Sequence, residues 1–443
     1  MKSRRTRNPM ARSLNRRAFA GTSAALAASL PLMRAGAQDA TPAASPAANA
    51  EEELEIFSWW TTAGEADGLQ QLFDAFSANY PDVEIVNAAV AGGAGSNAQV
   101  ALQTRLSGGQ PPDSWQSHTA QELYSLYVDP GYCEPVTALW ESEGWMDAYP
   151  QALIDQVTRD GDQWLVPVGV HRGNVMFYNR QVFEDNGIDV GEEMSVDQFL
   201  EAAVTLDEAG IAALGLGSQD TFSTPQLFEN ILLAHLGPEA YMGLWDFSTD
   251  WSSAEVTEAI EILSQMLQYV NDDHPSLTWD AAMDQVIEGT SATTVMGDWA
   301  WGHVVANGAE DQIGYVAHPG SAGSFVAVTD GFTMPVDPPH PVNAENWLIT
   351  AGSADAQTAF APFKGAIPAR TDVDTSEFNE YMQWAAAAFA EDAIVTSVGH
   401  GAATTPQHRQ SIFDATISFL GGGDAAIYQE DLVFAAEDAQ ANM

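Results

Sequence analysis

Residues 54–86 read as one strand–helix–strand unit, and that unit limits the folds open to the rest of the chain. Ile56 and Phe57 end a short apolar run, after which Leu69, Leu72, Phe73, Phe76 and Tyr80 recur at helical spacing. Pro81 and Asp82 break the helix, and Val83–Val86 provides a second strand-like run. Two consecutive strands joined by a helix lie parallel in one sheet. Later helices carry their own start signals: capping boxes at Ser195/Gln198 and Ser252/Glu255, and Thr224 before Pro225, with Gly237 closing that helix. Further strands are expected at Trp164–Val170, Asn174–Tyr178, Thr293–Met296 and Phe325–Val328. The alternation predicts an α/β fold throughout.

In open parallel sheets, ligands bind beyond the carboxyl ends of the strands. "EIFSWWTTAGEADG" (55–68) puts Trp59, Trp60 and Glu65 at such an end, and "PPDSWQSHTA" does the same for Trp115, Gln116 and His118. The runs "VPVGVHRGNVMFYN", "VMGDWAWG" and "FVAVTDGFTMP" also end in polar or aromatic residues. Tryptophans that only filled a core would sit inside an element. At its mouth, an aromatic face packs on the CH side of a sugar ring while Glu, Gln, His, Asp and Lys satisfy hydroxyls. The alternative, tryptophans capping cores beside solvated polar groups, stands equal for any single residue. The combination favours a binding site.

The N-terminus reads as an export signal. Arg16-Arg17 precedes an apolar run from about Ala18 to Met33, and Ala35-Gly36-Ala37 is a small-residue cleavage pattern. The paired arginines point to the twin-arginine route for residues 1–37. Residues 38–53, rich in Ala, Pro and Ser and then acidic, are expected to be a disordered spacer, with folded sequence from near Leu54. Eight of the 15 Lys and Arg residues lie in 1–37, so the remainder carries seven basic against 61 acidic residues, a net charge of −54. Such a surface repels nucleic acid and anionic lipid. Lys364 is the single lysine after residue 37, either retained for a purpose or a survivor of biased composition. Cys133 is the single cysteine of the chain, so no internal disulfide can form.

Enzyme motifs do not emerge. There is no H-E-x-x-H, P-loop or G-x-S-x-G, and the glycines of "GGAGSNAQ" (92–99) lack dinucleotide spacing and read as a turn before a helix. The nine histidines are scattered, and neither a metal site nor a cofactor is expected. A glycosidase carboxylate pair has no spacing to favour it among 61 candidates.

Nine landmarks in order then resemble one family, the extracellular solute-binding proteins of carbohydrate ABC transporters, in their glucose/mannose-binding branch. They are "EIFSWW", "AGGAGSNAQVALQTRLSGGQPPDSWQSH", "EGWMDAYPQALID", "VPVGVHRGNVMFYN", "LTWDAAMDQVIEG", "TVMGDWAWG", "VTDGFTMP", "FKGAIPAR" and "VGHGA". The resemblance implies a two-lobed periplasmic-binding-protein-like fold with parallel-dominated sheets and a multi-crossing hinge. The crossings would lie near Pro167, Phe325 and Ala366, giving lobes 54–167 with 326–366 and 168–325 with 367–443. It implies a non-catalytic, monomeric receptor outside the cytoplasm that binds a monosaccharide, glucose or mannose, and delivers it to membrane permease subunits. A disaccharide or other small solute is the alternative ligand, and a secreted glycosidase the alternative class. By resemblance the ligand residues are Trp59, Trp60, Glu65, Gln116, His118, His171, Trp279, Asp330, Lys364 and His400. Arg172 is read as structural, and Asp298 and Trp299 are left outside the set.

The charge imbalance yields a first prediction. Carboxylate self-repulsion falls with added salt and with mild acid, so thermal stability should be lowest in dilute neutral buffer and rise in either direction. A melting temperature indifferent to both would contradict it.

Overall fold

Strand β1 (Glu53–Phe57), helix α1 (Ala63–Asn79) and strand β2 (Glu84–Asn87) form the expected unit, β1 and β2 running parallel with Ile56 opposite Asn87. The structure, a computed structural model, describes residues 51–91 and 95–442. The expected signal, the spacer up to Ala50 and residues 92–94 lie outside the described residues. The fold begins slightly before Leu54. Glu51 Oε2 accepts a hydrogen bond from the Asn343 backbone N–H (2.8 Å), and Glu53 already pairs with Glu84. The stripe Leu69, Leu72, Phe73 and Phe76 that marked α1 is buried against the sheet.

The elements that follow and build the site are α2 (Ser96–Ser107), β3 (Ser114–His118), β4 (Val166–Arg172) and β5 (Val175–Asn179). Next come α3 (Val196–Glu208), β6 (Ala212–Leu214), α4 (Ser223–Trp245), α5 (Ala254–Met266) and α6 (Trp279–Glu288). Then follow β7 (Ser291–Met296), α7 (Trp299–Ala306), β8 (Ile313–Ala317), β9 (Ser324–Phe332) and α8 (Ala354–Lys364). The last are β10 (Ile367–Pro368), β11 (Ala393–Thr396) and α9 (Pro406–Leu420). The capping box at Ser195/Gln198 is present on α3. The one expected at Ser252/Glu255 is displaced: Ser253 caps α5, because Ser252 is held by Asp250 in the preceding turn. Gly237, at φ +78°, breaks α4 ahead of Pro238 and a second helical stretch continues to Trp245.

Among the described residues, the larger sheet has the order β10-β4-β9-β3-β1-β2 with β11 also on β9, and the smaller one β8-β5-β7-β6. The sheets are mixed rather than parallel-dominated. Pairs β1–β2, β1–β3, β9–β11 and β6–β7 are parallel, whereas β9 runs against β3 and β4, β4 against β10, and β5 against β7 and β8. The expected crossings at Pro167 and Phe325 fall inside β4 and β9, and Ala366 immediately precedes β10; these three strands are neighbours in one sheet. Every residue of β4 and β9 is buried, which is why both read as near-continuous apolar runs.

The described residues form two hydrophobic cores. One surrounds the larger sheet and takes in Phe325, Val328 and Phe332 of β9; the other gathers α3, α4, α5 and α9 and takes Val326 from that same strand. At Asp330/Gly331 the register between β9 and β4 shifts, a bulge in the middle of the sheet. A side chain on Gly331 would press on the Val166 carbonyl, at 2.6 Å.

Helices α1, α7 and α8 meet through glycines beneath the strand ends. A Cβ on Gly302 of α7 would stand 2.7 Å from the Phe363 carbonyl oxygen and 2.8 Å from that of Lys364. These are backbone atoms and cannot swing aside. We expect Gly302→Ala to destabilise the fold by about 1–3 kcal/mol, seen as a lower urea midpoint with an unchanged slope; no shift would mean that the helices separate freely.

Candidate functional site

The ends of β1, β3, β9 and α8 face the connections before α4, α6 and α7 across a cavity of ≈ 100 Å³. From the first side come Trp59 and Trp60 after β1, Glu65 in the first turn of α1, His118 ending β3, Asp330 in β9 and Lys364 ending α8. From the other come Asp220 and Phe222, Trp279 and Asp280 at the start of α6, Trp299 opening α7, and His400 after β11.

Asp330 organises the first side. Its Oδ1 accepts from Gln116 Nε2 (2.8 Å) and stands 3.7 Å from His118 Nε2, and its Oδ2 lies 3.2 Å from His171 Nε2. Burial pushes its pKa up, but the His171 contact and the charges of His118 and Lys364 outweigh this and hold it well below the ordinary carboxylate range. His171 shows the reverse balance. Burial and Lys364 oppose its protonation, while Asp298, bonded to Nδ1, and Asp330 raise its pKa above the ordinary imidazole value. Lys364 is buried with its Nζ 3.0 Å from Glu65 Oε1, and lies 5.5 Å from the Trp60 ring and 5.9 Å from the Trp299 ring. Thr62 Oγ1 donates to the other oxygen of Glu65 at 2.8 Å.

Of the ten expected ligand residues, eight line the cavity: Trp59, Trp60, Glu65, His118, Trp279, Asp330, Lys364 and His400. Gln116 and His171 stand one layer behind. Gln116 accepts from the Trp59 backbone N–H (3.2 Å) while donating to Asp330, so it ties the tryptophan loop to the carboxylate. Trp60 is 1% exposed, packed on Phe332 and Phe360, whereas Trp59 is half-buried with Gly95 against its ring. Arg172 points away, to the Ser324 carbonyl and over the Trp384 ring.

Trp299, left out of the expected set, lines the cavity 4.8 Å from the His400 ring, and Asp298 sits behind it holding His171. Asp220, Phe222 and Asp280 are additions. Asp220 and Phe222 follow strand β6, whose three residues are too short to stand out as a strand, and Asp280 is the second residue of α6; Asp220 Oδ2 accepts from the Trp279 N–H at 2.8 Å, capping α6. Among the described residues no group of three or more His, Cys, Asp or Glu is placed to hold a metal ion, and no helix is long and apolar enough to cross a membrane.

His400 is placed by a second buried carboxylate. Its Nδ1 is 3.1 Å from Ser397 Oγ, and Glu229 accepts from Ser397 Oγ (3.1 Å), the N–H groups of Val398 (2.7 Å) and Gly399 (3.3 Å), and Tyr241 O–H (2.7 Å). Burial pushes the His400 imidazole well below its ordinary pKa. Aromatic planes on several sides, with a lysine, carboxylates and imidazoles between them, can enclose a compact ring bearing hydroxyls.

Residues 61–358 match the bacterial extracellular solute-binding protein family. An uncharacterized ABC transporter extracellular-binding protein of Pyrococcus horikoshii is 32% identical over 366 residues, covering 82% of each chain. The xylose/arabinose-binding protein XacG of Haloferax volcanii is 28% identical over 366 residues, 81% of this chain and 78% of that one. Among solved structures, a chitin oligosaccharide binding protein superposes with a TM-score of 0.78 at 18% identity over 88% of this chain and 99% of its own. The chain belongs to the bacterial extracellular solute-binding protein family, whose fold is two-lobed. It is a receptor and not an enzyme, which removes the glycosidase alternative.

Glu229 supplies the prediction for this site. Its pKa is raised to about 7, because burial outweighs the four hydrogen bonds it accepts. A folded pKa above the unfolded one means the native state binds the proton first, so this group adds stability as pH falls from about 7 towards about 5. The wild type should gain stability over that range relative to Glu229→Gln, read from urea midpoints; parallel pH profiles would refute the assignment.

Proposed function

We propose that this chain is the substrate-binding component of a carbohydrate ABC transporter. It holds a monosaccharide, glucose or its epimer mannose, reversibly between lobes 54–167 with 326–366 and 168–325 with 367–443. The observation that carries the reading is the cavity itself. The aromatic walls Trp59, Trp279 and Trp299 suit the CH faces of such a ring, and Lys364, Glu65, Asp220, Asp330, His118 and His400 suit its hydroxyls. The relatives named for sugar binding and ABC transport support the class of ligand and the membrane permease partner. The likeness to the chitin oligosaccharide protein is one of fold, so ligand size is argued from the pocket.

A sugar that touches both sides favours the closed arrangement by its differential affinity for it. The receptor is expected to act as a monomer outside the cytoplasm, exported through residues 1–37. Specificity between epimers would rest on single hydroxyl contacts, where an unmatched buried partner is costly.

Calorimetric titration with glucose, mannose, galactose and maltose in saline buffer tests the reading. One-to-one binding of glucose or mannose, with the sugar recovered unchanged, is expected. Lys364→Ala should weaken it by about 10- to 100-fold, the cost of a hydrogen bond to a charged group, with cooperative unfolding retained. Absence of binding to all four sugars would refute the proposal, and unchanged affinity in the variant would remove Lys364 from the site.

A further inference from the structure

A second cavity of ≈ 560 Å³ lies between α2 and α9, and Phe222 lines both it and the smaller pocket. The two differ in chemistry. The smaller presents the carboxylates of Glu65, Asp220, Asp280 and Asp330; the larger presents none, although acidic residues outnumber basic ones 61 to 15 in this chain. Its polar groups are neutral amides and hydroxyls, notably Gln99, Gln103 and Gln410, beside the apolar Phe413 and one cation, Arg409. Amides both donate and accept, and so serve hydroxyls in either role. Gln103 spends its Nε2–H on the Leu126 carbonyl and keeps its oxygen as an acceptor. Among the described residues the buried Nε–H of Arg409 has no hydrogen-bond partner.

Phe222 is held firmly where the two cavities meet. The turn before it is fastened to residues 274–279 by Ser218 N–H to the His274 carbonyl (3.0 Å), Ser218 Oγ with His274 Nδ1 (2.8 Å), Gln219 N–H to the Leu277 carbonyl (3.0 Å) and Trp279 N–H to Asp220 Oδ2 (2.8 Å). The Phe222 ring is 5.5 Å from that of His400 and 6.3 Å from that of Trp299, and the residue is 5% exposed.

We propose that Phe222 is the length-setting residue of the receptor: its ring closes the monosaccharide pocket on one side, and the amide-lined groove beyond it has the chemistry to take a second sugar ring once that wall is removed. The inference rests on the proposed monosaccharide reading. It makes ligand size depend on one side chain at the junction rather than on the hydrogen-bonding groups of the pocket, none of which changes when the wall is removed.

Titration of the purified chain with glucose, mannose, maltose and cellobiose tests it. The wild type should bind glucose and neither disaccharide. In Phe222→Ala the ratio of disaccharide to glucose dissociation constants should fall at least about tenfold. An unchanged ratio in a variant that unfolds cooperatively and still binds glucose would overturn the proposal, as would wild-type binding of a disaccharide as tight as that of glucose. Phe222→Leu shortens the wall while keeping apolar contact with His400 and Trp299. It should move the ratio in the same direction where the alanine variant does not fold, and an unchanged ratio there overturns the proposal equally. Failure of the wild type to bind either glucose or mannose would remove the monosaccharide reading, and this inference with it.

Discussion

A carboxylate buried at the bulge of β9 is the constraint on which the site depends. Asp330 is paired in the sheet with His118 on one neighbour and Gly169 on the other, and its side chain is shared among Gln116, His118 and His171. Burying a charge is costly, and removing one partner of a buried pair leaves a penalty of about 3–5 kcal/mol. The surrounding groups are therefore bound to one another by necessity. His171 is fixed by Asp298 on its far side, and Gln116 is fixed by the Trp59 backbone. The result is an array whose members cannot turn independently, so under the proposed reading a sugar would meet acceptors and donors already oriented, at little cost in ordering them.

The cavity walls follow from how the helices are allowed to approach. Gly64 of α1 and Gly302 of α7 let backbone meet backbone, with Gly365 completing the contact after α8. That close approach places Trp299, at the first position of α7, within 5.9 Å of the Lys364 amine and 5.6 Å of the His171 ring. At Gly64 and Gly302 glycine is required by neighbours, and at Gly365, which ends α8 at φ +81°, by turn geometry as well. The aromatic wall and the buried lysine are thus parts of one packing arrangement. A helix displaced to make room for a methyl group would carry the tryptophan with it, so pocket shape and fold stability are coupled through α7.

Much of this architecture was legible in the sequence, and the exceptions have physical causes. Periodicity located α1, β4, β5 and β7 because both ends of each are marked by turn residues or charge. Strand direction was not legible. A helix between β1 and β2 enforces parallel pairing, but β9 reaches β3 and β4 through long connections that leave direction free, and it runs against both. In the site, residues at the ends of strong strands were recoverable, whereas Asp220 and Phe222 follow a three-residue strand with too few positions to show a period. Trp299 and Asp298 were visible but undecided, since a tryptophan opening a helix packs a core or faces a cavity with the same spacing. Here it does both, belonging to the first core while lining the pocket. Gln116 and His171 stand behind the cavity wall rather than in it, because sequence cannot separate a residue that lines a cavity from one that orients its neighbour.

Whether Lys364 is a chance survivor of an acid-biased composition is answered by the company it keeps. Seven basic residues follow position 37, and each has a specific partner. Arg105 pairs with Glu55, Arg159 with Asp129, Arg172 with Asp392, Lys364 with Glu65, Arg370 with Asp372 and Arg409 with Glu122. Arg180 donates to the Ile313 carbonyl. Several of these pairs are buried where salt screens them little, while most of the unpaired carboxylates are outside, where salt screens them well. A bias that replaced exposed cations at little cost would stop at such positions, because removing a cation there strands a buried carboxylate. Lys364 is 2% exposed and lies at the pocket wall. The same desolvation that preserves the lysine strengthens any hydrogen bond it makes to a ligand hydroxyl. Lys364 is thus retained beside Glu65 by burial and pairing, and under the proposed reading the same burial makes it a strong donor to a sugar hydroxyl.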